Sequence, residues 1–380
     1  MIGKSTYKSA RSVAAQVHRH FALHLEDARL RNEINLAPEP NPEIIETMID
    51  TAFWTSLRRE EGRSPKISLA FLPPEMAGQP MLFARRLPFR AAVLTKLGPG
   101  VERPGIHLGV WFEDDELYIW GTTREILSFC FVLDVPEPGL LVIKHRRMKG
   151  YGKFTNVAVL KGDQIKIVDE NSASLPDCPQ LLTSLLGFTS PNSWNDSVNV
   201  LVQLAVSMQA HGRGGTLLIV PAGTDKWQES IIHPIPYAVA PAFSGLADQM
   251  RQDVNLRSLS YWQGALRREV DSIAGLTALD GAVIITDKYE LLAFGAKIIR
   301  PQESQVVESM ILTEPIVGNN ANVVNPSNHG GTRHLSAAQF VYDQRDALAL
   351  VASQDGRFTI FAWSPCENMV HAHRIDTLLL

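Results

Sequence analysis

Cysteine is scarce in this chain: 380 residues contain Cys130, Cys178 and Cys366, far apart and odd in number. They form neither a disulfide framework nor a zinc-knuckle spacing, so a reducing cytoplasm is the expected compartment. Charge of one sign is also lacking, with 36 Lys and Arg against 40 Asp and Glu and a formal net charge of -4. The basic field that wraps duplex nucleic acid is therefore missing, and no nucleic-acid partner is expected. No apolar run reaches the roughly 18 residues of a membrane helix. Met1 to His20 has no apolar stretch leading to a small-residue cleavage site. No membrane partner and no secretory signal are expected. Internal repeats and low-complexity blocks are absent as well.

What is there is the composition of a folded protein, 45% hydrophobic and 20% charged. Such a length exceeds one ordinary core, so two domains are expected. Residues 8–32 place Val13, Val17, Phe21, Leu25 and Ala28 at helical spacing. A Pro-rich break follows, and then a second helix from Pro42 to Leu57 with Asn41 as its N-cap. From Ile67 to Val168 short β-rich runs alternate with polar turns, which predicts a mostly antiparallel region. The texture beyond Pro179 is α/β. It contains helices at Ser193–Gln209, Leu256–Ile273 and Ser336–Asp343, and wholly apolar strands at Thr216–Val220 and Gly281–Thr286. The expected layout is a tail and helix start over 1–19, an α+β domain over 20–175, a linker over 176–191 and an α/β domain with a mixed sheet flanked by helices over 192–370.

Two short constellations could carry chemistry. Asp280-Gly281-Ala282 stands at the mouth of an apolar strand, where a carboxylate can hold a divalent metal or accept a hydroxyl proton. An Asp-Gly pair before a strand is also an ordinary turn. Gly330-Gly331-Thr332-Arg333-His334 precedes a helix, the place where backbone N–H groups, the helix dipole and a planar guanidinium suit an oligophosphate. It also reads as a glycine loop before a helix capped by Ser336. No Walker spacing is present.

These motifs, followed by Ala-Leu-Ala-Leu-Val-Ala-Ser-x-Asp-Gly at 347–356 and preceded by a helix running into Gly-Gly-Thr-Leu-Leu-Ile-Val at 214–220, resemble the diadenylate cyclase (DAC) domain family. The likeness covers most of residues 192–365. It implies a domain that joins two ATP molecules into cyclic di-AMP and pyrophosphate, with Mn²⁺ or Mg²⁺ as cofactor and face-to-face self-association of two domains. By the same resemblance Asp280 binds the metal or activates a 3′-hydroxyl. Gly281, Ala282 and Ser353 contact nucleotide, as do Gly331, Thr332, Arg333 and His334, and Asp355 is a second metal ligand. The chain departs from the family pattern at Leu335, where a third basic residue stands, and at Gln354, where a Glu stands. Arg213, Lys288, Lys297 and Arg357 are candidates to replace the missing cation. The alternative is a nucleotide-binding signalling protein that senses ATP or cyclic di-AMP without cyclising; a purely structural interaction module is a third reading.

The first domain offers no nucleophile, metal cluster or phosphate loop. Its place before a cyclase-like domain, with the strand Leu117-Tyr118-Ile119-Trp120-Gly121, is similar to the DACNV-type sensor modules of bacterial cyclases. That implies a regulatory domain reading an unknown signal. His18 with His20, and His371 with His373, lack the spacing and companions of a zinc site. The basic run Lys144-His145-Arg146-Arg147 with Lys149 reads as a solvated face, and Trp111, Phe112 and Trp120 as core.

Overall fold

A computed structural model describes residues 5–114, 116–146, 154–174, 177–179, 182, 196–252 and 260–380. The chain divides into two units, Met1–Val168 with Leu380, and Asp169–Leu379. The protein is a mixed α/β chain with one mixed sheet in each unit.

In the first unit, helix α1 (Lys8–Leu30) buries Val13, Val17, Phe21, Leu25 and Ala28 along one face. Helix α2 (Pro42–Ser56) starts where the Asn41 side chain accepts the Ile44 N–H at 2.8 Å, with Pro42 at the first position. Strands β1 (Ile67–Phe71), β2 (Met81–Pro88), β3 (His107–Glu113), β4 (Glu116–Thr123), β5 (Phe131–Glu137), β6 (Leu140–Arg146), β7 (Phe154–Lys161) and β8 (Gln164–Ile167) pair in the order β2-β4-β3-β1-β5-β6-β7-β8. Among the described strands every pairing is antiparallel but one: β1 and β3 run parallel, because helix α3 (Ala91–Val101) lies in the crossover between them. One face of the sheet, with Leu69, Phe71, Phe131, Leu133 and Ile143, packs with the apolar faces of α1 and α2.

Two expectations change here. Phe112 is 41% exposed and outside the core, whereas Trp120 is buried and donates its indole N–H to the Leu72 carbonyl at 2.8 Å. The described part of the basic run is strand β6 and no solvated patch. Lys144 pairs with Asp134, Arg146 donates to the Ile126 carbonyl, and His145 is buried. Arg147 and Lys149 lie outside the described residues.

The second unit contains α4 (Asp196–Ala210), β9 (Gly215–Val220), β10 (Tyr237–Phe243), α5 (Gly245–Arg251), α6 (Ser260–Leu276), β11 (Ala282–Thr286), β12 (Leu291–Ala296), β13 (Met310–Thr313), β14 (Asn322–Val324), α7 (Thr332–Asp343), β15 (Leu348–Ala352), β16 (Phe358–Ser364), β17 (Met369–Arg374) and α8 (Asp376–Leu379). The expected helix starts at 193–195 and 256–259, and most of the expected linker, lie outside the described residues. The strand order is β10-β12-β11-β9-β15-β16-β17-β13-β14. Strands β9 and β11 are parallel, central and buried at every position, as continuous apolar runs require. Helix α7 sets Ala337, Ala338, Phe340 and Val341 into the same core as Leu218, Val220, Ile284 and Val351. Ser336 does not cap this helix. The helix begins four residues earlier at Thr332, with Gly331 in the N-cap position.

Candidate functional site

Strand register brings the motifs together. Ala282 of β11 pairs with Thr216 of β9 on one side and Ala296 of β12 on the other, and Thr216 pairs with Val351 of β15. One row across four neighbouring strands therefore runs from the Asp280 bend, past the start of β9, to the end of β15. A cavity of about 570 Å³ opens at this row. Its wall includes Asp280, Gly281, Ala282, Gly331, Thr332, Arg333, His334 and Ser353, together with Lys297, Ser336 and Gln354. The volume suits a nucleotide-sized ligand.

Each element places its side chains for a physical reason. Gly281 has φ +100°, and a Cβ there would lie 2.5 Å from the Gly295 carbonyl carbon, so the chain passes its neighbour too closely for any other residue. That close passage aims the exposed Asp280 outward ahead of β11. On the opposite wall Thr332, Arg333 and His334 form the first turn of α7, where N–H groups lack an intrahelical acceptor and the helix dipole is positive. The His334 N–H is held by the Gly331 carbonyl at 3.0 Å, leaving those of Thr332 and Arg333 toward the helix end. Gly330, at φ +139°, passes the His334 ring so closely that a Cβ would meet its Cγ at 2.6 Å.

Arg333 owes its place to Gly214, in the loop before β9. Gly214, at φ +72°, leaves the space the guanidinium fills, and a Cβ there would meet an Arg333 terminal nitrogen at 2.9 Å. Gln354 closes the same corner by donating its side-chain N–H to the Arg213 carbonyl at 3.3 Å. His334 is buried, with Nε2 3.4 Å from Thr359 Oγ1 and its ring edge-on to Phe361 at 5.9 Å. Burial first, and the charge of Arg374 second, push its pKa below the usual imidazole value. That shift favours the uncharged imidazole on the cavity wall.

Two residues sit differently from the resemblance. Asp355 does not line the cavity; it lies in the turn after β15, with Arg357 Nε 3.3 Å from its carboxylate. A hydrogen bond from Ser353 first, then the Arg357 backbone N–H and charge, hold its carboxyl below the usual range. Leu335 turns away from the wall and packs against the core. Of the four cations named as its replacement, Lys297 lines the cavity and Arg213, Lys288 and Arg357 do not. Ser336 in the second turn of α7 was missed as a wall residue, because the helix starts earlier than its apolar periodicity showed.

The carboxylate among the described wall residues is Asp280. One carboxylate with ligand phosphates is what Mg²⁺ or Mn²⁺ takes, so this wall fits such a cation when a polyphosphate is bound.

Residues 34–124 match the family model of a probable sensor domain, DACNV. DACNV is the N-terminal sensor part of diadenylate cyclase-type proteins. The matched segment runs from the end of α1 through β4. No curated protein matches the chain. Among solved structures, a hypothetical membrane spanning protein from Bacillus cereus is similar at 16% identity, over 51% of this chain and 71% of its own, with a TM-score of 0.28. At that score the likeness informs neither fold nor function. Among the described residues no helix is long and apolar enough to cross a membrane.

Proposed function

We propose that the second unit is a diadenylate cyclase domain, which condenses two ATP molecules into cyclic di-AMP and pyrophosphate under the control of the DACNV sensor. The observation that carries this reading is the convergence of Asp280-Gly281-Ala282, Gly331-Thr332-Arg333-His334 and Ser353 on one cavity. A sensor that belongs to cyclase-type proteins supports it from the other end of the chain.

The residues divide the work. The first turn of α7 and the Arg333 fork bind the triphosphate, with Lys297 adding a second cation in place of the one lost at Leu335. Gly281 and Ala282 let the nucleotide approach the start of β11. Asp280 would hold a Mn²⁺ or Mg²⁺, which when bound would supply neutralisation of the charge developing on the transferring phosphoryl group. The 3′-oxygen of one ATP forms a bond to the α-phosphorus of the other, the bond to pyrophosphate breaks, and the hydroxyl proton leaves to solvent or a carboxylate. One cavity binds one ATP, so two copies must face each other for the two half-reactions to close the ring.

The second reading, a domain that binds nucleotide without cyclising, is favoured by the half-buried Leu335 packed against the core and by Asp355 off the wall. Incubation of the purified chain with ATP and Mn²⁺, followed by anion-exchange chromatography, separates the two. Cyclic di-AMP and pyrophosphate are expected, with formation reduced at least about 100-fold by Asp280→Asn. ATP binding without either product would leave the sensing reading and remove the enzyme.

A further inference from the structure

The sensor unit contains a cluster of imidazoles that its sequence spacing conceals. His20 and His24 stand four residues apart on α1, hence on one face of the helix, beside the apolar stripe of Phe21 and Leu25. Their ring centroids are 4.5 Å apart, and a ring nitrogen of each lies within 4.8 Å of one on the other. His145 comes to them from β6, more than a hundred residues along the chain. Its centroid lies 5.7 Å from that of His20 and 6.2 Å from that of His24.

We propose that His20, His24 and His145 form a three-imidazole site for a divalent transition metal of the zinc class. Metal–nitrogen bonds of about 2.0–2.1 Å in a tetrahedral arrangement set the centroids of neighbouring rings about 5 Å apart. The observed separations bracket that distance, and side-chain rotations of the half-buried His20 and His24 would close the difference. His145 is buried, and its Nδ1 lies 3.0 Å from the Arg146 carbonyl. That contact makes Nδ1 the protonated nitrogen and leaves the lone pair on Nε2, the arrangement by which a backbone carbonyl fixes the tautomer of a metal-binding imidazole. The Arg146 carbonyl is itself fixed, since it also accepts the Phe129 N–H at 2.9 Å. The neighbouring cation Lys144 is paired with Asp134, so its charge does not stand uncompensated beside an incoming metal. Imidazole sets of this kind select zinc, nickel, cobalt and copper over magnesium and calcium. Three protein ligands leave a position open for water or an exogenous ligand. Occupancy ties α1 to β6 and gives the sensor unit a chemical input of its own.

Cobalt is the probe. Untagged, chelator-treated full-length protein carrying Asp280→Asn, which removes the metal position of the proposed cyclase site, is titrated with Co²⁺ and then with Zn²⁺ in competition. One Co²⁺ per chain with visible ligand-field absorption is expected, displaced by Zn²⁺. His20→Ala and His24→Ala each weaken binding about 100-fold or more, and His18→Ala leaves it unchanged. His18 serves as the control because it faces the Pro40 carbonyl at 3.1 Å. His145→Gln is read alongside thermal unfolding, so that lost binding is separated from lost fold. Absence of a saturable Co²⁺ spectrum, or a spectrum indifferent to both His20→Ala and His24→Ala, overturns the site.

Discussion

Arg333 and Lys297 are the cations that the described cavity wall offers to a polyphosphate, and they differ in kind. The guanidinium is a planar fork that can engage two phosphate oxygens at once, whereas the ammonium is a point charge on a flexible stem. Arg333→Lys is therefore expected to lower ATP affinity about tenfold, measured by calorimetry, although the charge is kept. Lys297→Met is expected to weaken binding to a similar extent if this residue stands in for the cation absent at Leu335. Asp280 and Arg333 are legible in the sequence because their motifs are contiguous. Lys297 and Gly214 are legible only as isolated residues, since Lys297 reaches the wall from just past β12 and Gly214, in the loop before β9, leaves room for Arg333 there. No spacing along the chain encodes that meeting.

At the scale of elements, the bend before β11 shows what a glycine does in this site. Gly281→Ala forces a side chain into φ +100° and against the Gly295 backbone at 2.5 Å. A loss of about 2–4 kcal/mol is expected from strain and overpacking together, read by urea denaturation. Gly356→Ala is the internal control. It too has a positive φ, +84°, but a Cβ there meets nothing within 4 Å, so the cost is expected near 1 kcal/mol, about that of the backbone conformation alone. The central strands β9 and β11 were legible because both faces are buried and the runs are apolar throughout. Strand β2 was not, since most of its residues are exposed at a sheet edge and show no alternation. Helix α7 was legible by its apolar face, but its first turn carries Thr, Arg and His, which have no core to pattern them.

For the whole molecule, acid sensitivity follows from buried imidazoles in the second unit. Burial, with His371 nearby, pushes the His373 pKa down to about 3, and burial lowers His371 and His334 as well. Unfolded histidine titrates near 6.5. Between these values the unfolded chain binds more protons, so stability is full above about pH 6.5 and falls as pH drops toward the folded value. His373 alone is expected to cost about 2 kcal/mol between pH 7 and 5, seen as a lower urea midpoint for this unit. A His373→Asn variant is expected to show a shallower pH slope whatever its absolute stability.

By itself the sequence determined the two-part α+β then α/β texture, the central apolar strands and the presence of an acidic and a basic motif, because each is written in residues close together along the chain. Only the tertiary structure decided that Ala296, Ala282, Thr216 and Val351 fall in one row, and that His145 meets His20 and His24. Strand order and register join residues through hydrogen bonds across the sheet, and local periodicity carries no record of which strand becomes the neighbour.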